Sequence, residues 1–433
     1  MGLGLNMNLS NSISRSTMKT VGLSTDMLVF FKLLSNRDFI KLLIGLHRGY
    51  KKDSNYSPFH LVMALLRLIK NERITSYNGV FVLNSFIPPF PSKPFNQMLA
   101  AVPGRESLLF EHVHGSRTAP VSVNIAVTGD CNHHCQYCSA KHMSKEKGLQ
   151  LAELKTVLAQ LQDMGVAIIG LTGGEPTLRK DLTEIIGSID SRSVSILYST
   201  GQSITLEKAR EYKNAGLFAA AISMDHYKEE QHDAYKGVRG SFRTANEAIN
   251  NCLQAGLYTI MQVLVRKELV SGNELESVLD IGRAHGVSEI RLLDIKIPDY
   301  ANVRSNGSLL TKDDLKTIKN LQLDANKSRK YPKIASVFYE EDAERFGCSA
   351  GIHHSYIDAA GNLNPCDFIL QSYGNVTQTP MRELWNKMNA RYGLCRDDCR
   401  AYKRTGITRK LDDDTDCATA LPGFYRILAG CGC

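Results

Sequence analysis

Between Cys131 and Cys138 the chain places three cysteines and two histidines in the string Cys131-Asn132-His133-His134-Cys135-Gln136-Tyr137-Cys138. The spacing is C-x3-C-x2-C, with an aromatic residue directly before the last cysteine. Thiols set this close together serve one of three chemistries. Three thiolates can hold three corners of a cubane [4Fe-4S] cluster and leave the fourth iron to a non-protein ligand. With His133 or His134 as a further ligand they can form a tetrahedral zinc site. A C-x2-C pair can also act as a redox thiol.

The tail holds a second block. Cys348 and Cys366 bound the stretch "CSAGIHHSYIDAAGNLNPC", and Cys395, Cys399, Cys417, Cys431 and Cys433 follow. Asp367 comes directly after Cys366, and His353 and His354 lie between the two cysteines. Cys252 stands alone in an apolar helical pattern and reads as core.

Elements must position these groups. With 433 residues and 43% apolar content, the chain can build two or three domains with real cores. The first apolar run, Met27 to Phe31, stops at Lys32 with no small-residue cleavage site, so no signal peptide and no disulfides are expected. No stretch reaches the roughly 18–20 uninterrupted apolar residues that span a bilayer. The expected location is the cytoplasm.

From Val121 onward six short apolar runs alternate with helical patterns: "VSVNIAVT", "VAIIGLTG", "SVSILYST", "FAAAISMD", "YTIMQVLV" and "EIRLLDIK". The helical patterns cover about 150–164, 180–189, 206–214, 242–255, 274–285 and 311–325. This order predicts an α/β fold, a partial (β/α)6 parallel barrel, with its chemistry at the C-terminal ends of the strands. The first cysteine cluster directly follows the first of them.

The expected organisation has four parts: a basic, mainly helical segment with a hairpin at 1–84, a proline-rich extended connector at 85–117, the barrel at 118–330 and a small cysteine-rich cluster-binding domain at 335–433. The hairpin is expected around Asn78-Gly79. Residues 1–120 carry 14 Lys and Arg against 6 Asp and Glu, whereas residues 121–433 carry 38 of each, so the whole net charge of +8 lies at the N-terminal side.

The C-x3-C-x2-C pattern with Tyr137, and the segment "LTGGEP" from Leu171 to Pro176 at the end of the second strand, resemble the radical SAM superfamily over about residues 118–300. The resemblance implies that Cys131, Cys135 and Cys138 hold a [4Fe-4S] cluster whose open iron binds S-adenosylmethionine (SAM), and that Gly173, Gly174 and Glu175 hold the SAM amino group. It makes Ser199, Thr200 and Ser223, with Asp225 nearby, candidates for the ribose hydroxyls or the SAM carboxylate. Gln262 and Arg266 on the fifth strand are weaker candidates.

The tail is similar to the SPASM or shorter twitch extension of such enzymes. That implies an auxiliary [4Fe-4S] cluster on Cys348, Cys366, Cys395 and Cys399, with Cys417, Cys431 and Cys433 left for a second cluster or as free thiols. Of the fuller C-x2-C-x5-C-x3-C pattern only Cys395-x3-Cys399 is present, which points to the shorter form. In some such enzymes an aspartate at the position of Asp367 takes a proton from the substrate, which gives Asp367 a general-base role.

The implied reaction is reductive cleavage of SAM to a 5′-deoxyadenosyl radical that abstracts hydrogen from a substrate C–H bond. Expected partners are a reductant such as flavodoxin or ferredoxin and a lipid or peptide substrate, with no nucleic acid. For the lipid alternative, and for peripheral membrane contact, the argument is the amphipathic basic run from Met27 to Lys52.

Overall fold

The computed structural model of the chain describes residue 40 and residues 72–101, 117–143, 146–296, 309–342 and 347–392. The run from Met27 to Lys52, apart from residue 40, and Cys395, Cys399, Cys417, Cys431 and Cys433 lie outside the described residues. The strands found are β1 (Thr75–Tyr77), β2 (Val80–Val82), β3 (Ser122–Thr128), β4 (Ile168–Gly173), β5 (Val194–Ser199), β6 (Ala219–Ser223), β7 (Tyr258–Val265), β8 (Glu289–Asp294), β9 (Lys333–Ser336), β10 (His354–Ile357) and β11 (Leu363–Asn364).

Strands β3 to β8 pair in parallel and in chain order, which is the expected six-stranded curl. The sheet runs further than that. β9 joins β8 in parallel, β10 joins β3 in parallel and β11 closes onto β10 antiparallel, which makes nine strands in all. The cysteine-rich tail thus continues the sheet of the barrel.

The expected helices form at Leu151–Met164, Leu182–Gly187, Leu206–Asn214, Ser241–Gln254, Leu275–His285 and Lys312–Ser328. Local sequence sets their ends. Thr205 Oγ1 caps the third by accepting from the Lys208 N–H, Thr311 and Asp314 form a capping box on the last, and Gly165 ends the first in the left-handed region. Between β3 and β9 two further helices were not legible. Glu229–Lys236 is mostly polar, and Lys267–Ser271 is too short to show a period.

The outward strand residues Val123, Ile125, Ile169, Leu171, Leu197, Ala220, Ile222, Met261, Val263, Ile290 and Leu292 pack with the helices into one core. The inward residues divide by height. Toward the N-terminal ends Ile168, Ile196, Ala219, Ala221, Tyr258 and Ile260 fill the interior with Val82 of β2. Toward the C-terminal ends Asn124, Thr172, Tyr198, Thr200, Ser223, Gln262 and Leu293 remain partly exposed, although their outward neighbours are buried. The lower half of the barrel is packed, and the upper half is an open, mostly polar chamber.

The hairpin closes the lower end. Asn78 and Gly79 both take positive φ, 46° and 82°, as a two-residue hairpin turn asks. Tyr77 packs edge-on against Phe218 and Tyr258, and its hydroxyl donates to the Gly256 carbonyl at 2.6 Å. The proline-rich stretch does not stay extended throughout. It ends in the helix Lys93–Ala100, capped by Ser92, because a proline in the first helical turn gives up no intrahelical hydrogen bond. Among the described residues no helix is long and apolar enough to cross a membrane.

Candidate functional site

The first cysteine loop leaves the C-terminal end of β3 and is held by backbone. Gly129 N–H donates to the Glu146 carbonyl (2.8 Å), His134 N–H to Lys236 (3.0 Å) and Gln136 N–H to Tyr235 (3.1 Å). The end of β4 grips it from the other side, with Gly174 N–H donating to the Thr128 carbonyl (2.7 Å) and Glu175 N–H to Asp130 (2.8 Å). Such an approach needs glycine. A Cβ on Gly174 would lie 2.1 Å from the Asp130 oxygen, and Gly173, at φ 143°, would collide with the Thr128 oxygen.

The thiols of Cys131, Cys135 and Cys138 form no disulfide, with Cys131 exposed and the other two half-buried. Burial pushes all three upward, Cys135 to about 11, while the Lys236 ammonium pulls each of them back. His133 is buried with its Nδ1 on Asn132 Oδ1 at 3.0 Å, and His134 is exposed. Among the described residues no three His, Cys, Asp or Glu side chains are arranged to hold a single metal ion. A cubane, in which each thiolate has its own iron, does not require the sulfurs to converge on one point.

Glu175 is 1% exposed and fully engaged. Its Oε1 accepts from Ser199 Oγ, Thr177 Oγ1 and Thr177 N–H, and its Oε2 from Thr200 N–H and Oγ1. Three of the sequence candidates, Glu175, Ser199 and Thr200, therefore bind one another and lock the ends of β4 and β5 together. Ser223 stands at the end of β6 facing the chamber, and Tyr137 is 36% exposed at the rim.

Asp225 is held by Lys236 at 2.8 Å and by the Leu264 N–H at 3.0 Å, and its own N–H donates to His232 Nδ1. Burial would raise its carboxyl, but Lys236 and then His232 hold it below the usual range. Burial pushes His232 down to about 4, so it stays neutral as an acceptor.

Arg266, 1% exposed at the end of β7, lies over the Tyr235 ring and donates from Nη2 to the Asp225 carbonyl at 3.3 Å. Its Nε and Nη1 are buried without a partner among the described residues. Two such donor nitrogens on a buried cation fit a carboxylate such as that of SAM, beside a loop of three reduced thiols that fits the cluster.

In the tail, Cys348 and Cys366 sit with Ala350, Phe368 and Ile369 in a small apolar cluster. Asp367 turns into the barrel. Its Oδ1 accepts from Asn124 Nδ2 of β3 at 3.0 Å, and its Oδ2 pairs with His354 Nε2 at 2.8 Å, while His354 Nδ1 meets Ser122 Oγ at 2.9 Å. Burial would raise the Asp367 carboxyl, but the His354 hydrogen bond and charge, with Asn124, bring it below its ordinary value. His353 does not join this pair. Asn124 and Lys236 went unrecognised in the sequence, although an asparagine inside an apolar strand is a readable signal.

A family pattern described as the radical SAM superfamily matches residues 125–272, and one described as an iron-sulfur cluster-binding domain, SPASM, matches residues 348–417. An AdoMet-dependent heme synthase of Nitratidesulfovibrio vulgaris is 28% identical over 310 residues, 63% of this chain and 82% of the relative. A GTP 3',8-cyclase of Campylobacter jejuni is 30% identical over 261 residues, 56% of this chain and 79% of the relative. Streptococcus suis SuiB, solved with its precursor peptide SuiA, superposes with a TM-score of 0.56 at 16% identity over 81% of this chain and 84% of that one. Native anSMEcpe with bound AdoMet gives a TM-score of 0.54 at 17% identity, covering 72% of this chain and 96% of that one. Both structures share the fold.

Proposed function

Because the chain belongs to the radical SAM superfamily, we propose that it oxidises a C–H bond of a substrate held in the upper half of its barrel, with Asp367 receiving the proton that leaves. It is an enzyme that uses SAM, a [4Fe-4S] cluster and auxiliary iron-sulfur chemistry in its SPASM domain. When bound, the first cluster with SAM supplies a hydrogen-abstracting radical, and the auxiliary cluster supplies an electron acceptor.

In this reading Cys131, Cys135 and Cys138 hold the first cluster, and Cys348, Cys366, Cys395 and Cys399 hold the auxiliary one. Arg266 binds the SAM carboxylate, and the Glu175 network orients the strand ends against the cofactor. A substrate that has lost one hydrogen atom reaches a closed-shell product by giving up a proton and an electron. The position of Asp367 carries the proposal: next to Cys366, kept ionised by His354 and Asn124, and turned into the barrel. Each of its oxygens keeps a second lone pair for the incoming proton. Asp367→Asn should leave substrate-stimulated 5′-deoxyadenosine formation in place and cut the oxidised product about 100-fold or more. An unchanged product yield removes Asp367 from this role.

A second reading concerns where the substrate is met. The concentration of net positive charge in residues 1–120 favours a lipid or lipid-linked substrate at the cytoplasmic membrane face, over a peptide. Full-length protein should pellet with anionic liposomes at low salt and release as salt rises. A chain starting at Asn71, which keeps the hairpin plug, should not pellet. If neither pellets, peptide substrates take first place, and peptide rather than lipid fractions of cell extract should raise 5′-deoxyadenosine formation.

A further inference from the structure

We propose that Arg291, Tyr198 and Gln262 form an oxyanion-binding floor to the substrate chamber and receive a carboxylate or phosphate group of the substrate. The inference rests on the reading that the upper barrel holds the substrate, and it adds the chemical class of one end of that substrate.

Arg291 projects inward from β8 and is 3% exposed. Its Nε donates to Ser85 Oγ (2.9 Å), its Nη2 to the Ser85 carbonyl (3.2 Å) and its Nη1 to Tyr198 Oη (2.8 Å), with Phe86 under the guanidinium at 4.6 Å. A guanidinium has five N–H donors, so two remain. No carboxylate lies within ion-pair reach of Arg291 among the described residues. Glu289, one turn of the pleat below, takes hydrogen bonds from Ser85 Oγ and Ser85 N–H and from Tyr258 Oη, and it faces the Lys333 ammonium at 3.8 Å. Lys333 is thus answered by Glu289 and also by Glu72, whereas Arg291 has no carboxylate of its own among the described residues. A buried positive charge left in excess is costly, and an incoming anion relieves it.

The neighbouring groups fit the same ligand. Tyr198 Oη accepts from Arg291 and keeps its own O–H to give. Gln262 stands level with Arg291 in the β7–β8 register and with Ser223 in the β6–β7 register, and its amide makes no hydrogen bond among the described residues. The floor is also rigid. Gly170 has no side chain because Asn124 Oδ1 and Tyr198 Cε2 already fill its place, 2.1 and 2.7 Å from where a Cβ would stand. Tyr198 is thereby pinned between Gly170 and Arg291. Asn124, on the other side of Gly170, carries Asp367. An oxyanion bound at Arg291 would fix the substrate across the chamber from the group that takes its proton.

The test uses ligands with one tail and different heads. Hexanoate, hexyl phosphate, hexanol and hexylammonium are titrated by calorimetry into anaerobic holoenzyme loaded with SAM. At least one of the two anions should bind about tenfold or more tighter than hexanol, and hexylammonium should bind most weakly. Hexanoate leading indicates a carboxylate substrate, and hexyl phosphate leading indicates a phosphate ester. Arg291→Gln should abolish the anion advantage. Gln262→Leu, at a side chain that holds nothing else in place, should reduce it several-fold and covers the case in which Arg291→Gln fails to fold. Anions that bind no better than hexanol, or an advantage that survives Gln262→Leu in full together with a folded Arg291→Gln, overturn the proposal. The readout is binding, so it stands or falls apart from the Asp367→Asn result, which reads product.

Discussion

The two ends of the barrel are built from the same strands and treat their polar groups in opposite ways. At the lower end, Glu289, Tyr258, Lys333 and Ser85 satisfy one another, and Lys333 also reaches the Val82 carbonyl and Thr75 Oγ1 of the hairpin. At the upper end, Arg266 Nε and Nη1 have no partner among the described residues, three thiols form no disulfide, and Ser223 and Gln262 face an open chamber. Leaving a buried donor unmade costs about 1–3 kcal/mol. On Arg266, a buried cation beside the cysteine loop, that cost is one a bound anion would remove, which points to the upper end as the place of the chemistry.

The sharpest way to break this comparison is to empty the upper end. Replacing Cys131, Cys135 and Cys138 by alanine should remove about four irons per chain and abolish SAM cleavage, while the lower end keeps the barrel folded. Stoichiometric zinc and no iron uptake in protein prepared without oxygen would falsify the cluster assignment.

The tail is the next largest effect. Substituting Cys348 and Cys366 should stop product formation and leave uncoupled 5′-deoxyadenosine formation, because these residues sit in their own apolar cluster apart from the first loop. Complete loss of SAM cleavage, with the first cluster's iron retained, would mean that the two cofactor regions depend on each other.

Much of this was legible in the sequence, for definite reasons. Strands buried on both faces read as continuous apolar runs, so "YTIMQVLV" gave Tyr258–Val265 to the residue. The cysteine spacing and the glycine pair are local, and local patterns survive in one dimension. What stayed hidden depends on juxtaposition. Glu175 reads as a ligand for an ammonium, yet its carboxylate is surrounded by Ser199, Thr177 and Thr200, which sequence order does not place around it. Asp367 and His354 were both singled out, but their pairing and the part of Asn124 follow from β10 adding to β3. The Ser85–Arg291 contact spans 206 residues, and a connector read as a linker gave no hint of it.

Glu175→Gln sharpens the comparison at the upper end. A carboxamide puts an N–H2 against donors on one side, so at least one of the five hydrogen bonds is replaced by a repulsive contact. The expected loss is about 1–3 kcal/mol of stability and about tenfold in SAM affinity, with iron content unchanged. A variant with normal melting temperature and normal SAM binding would show that the network is not needed to align the ends of β4 and β5.

The smallest effect belongs to the lower end and tests whether it is as self-contained as its hydrogen bonds indicate. Lys333 is 1% exposed, and burial pulls it down to about 8, against the opposing pull of Glu289. In the unfolded chain its value is about 10.4. Between these values the unfolded chain binds more protons than the folded one, so this group makes stability rise with pH. Its cost to the folded state is full below pH 8 and fades above it. The gain should be on the order of 1 kcal/mol between pH 8 and 9. The window closes near pH 10, where Tyr77, raised by burial to about 12, pulls the other way. Urea unfolding from pH 7.5 to 10 should therefore show the wild type gaining on Lys333→Met as pH rises. Parallel curves would mean that Lys333 keeps its proton through the range, because Glu289 and the hairpin carbonyl compensate its burial in full, and the lower end would then be sealed more tightly than its burial alone implies.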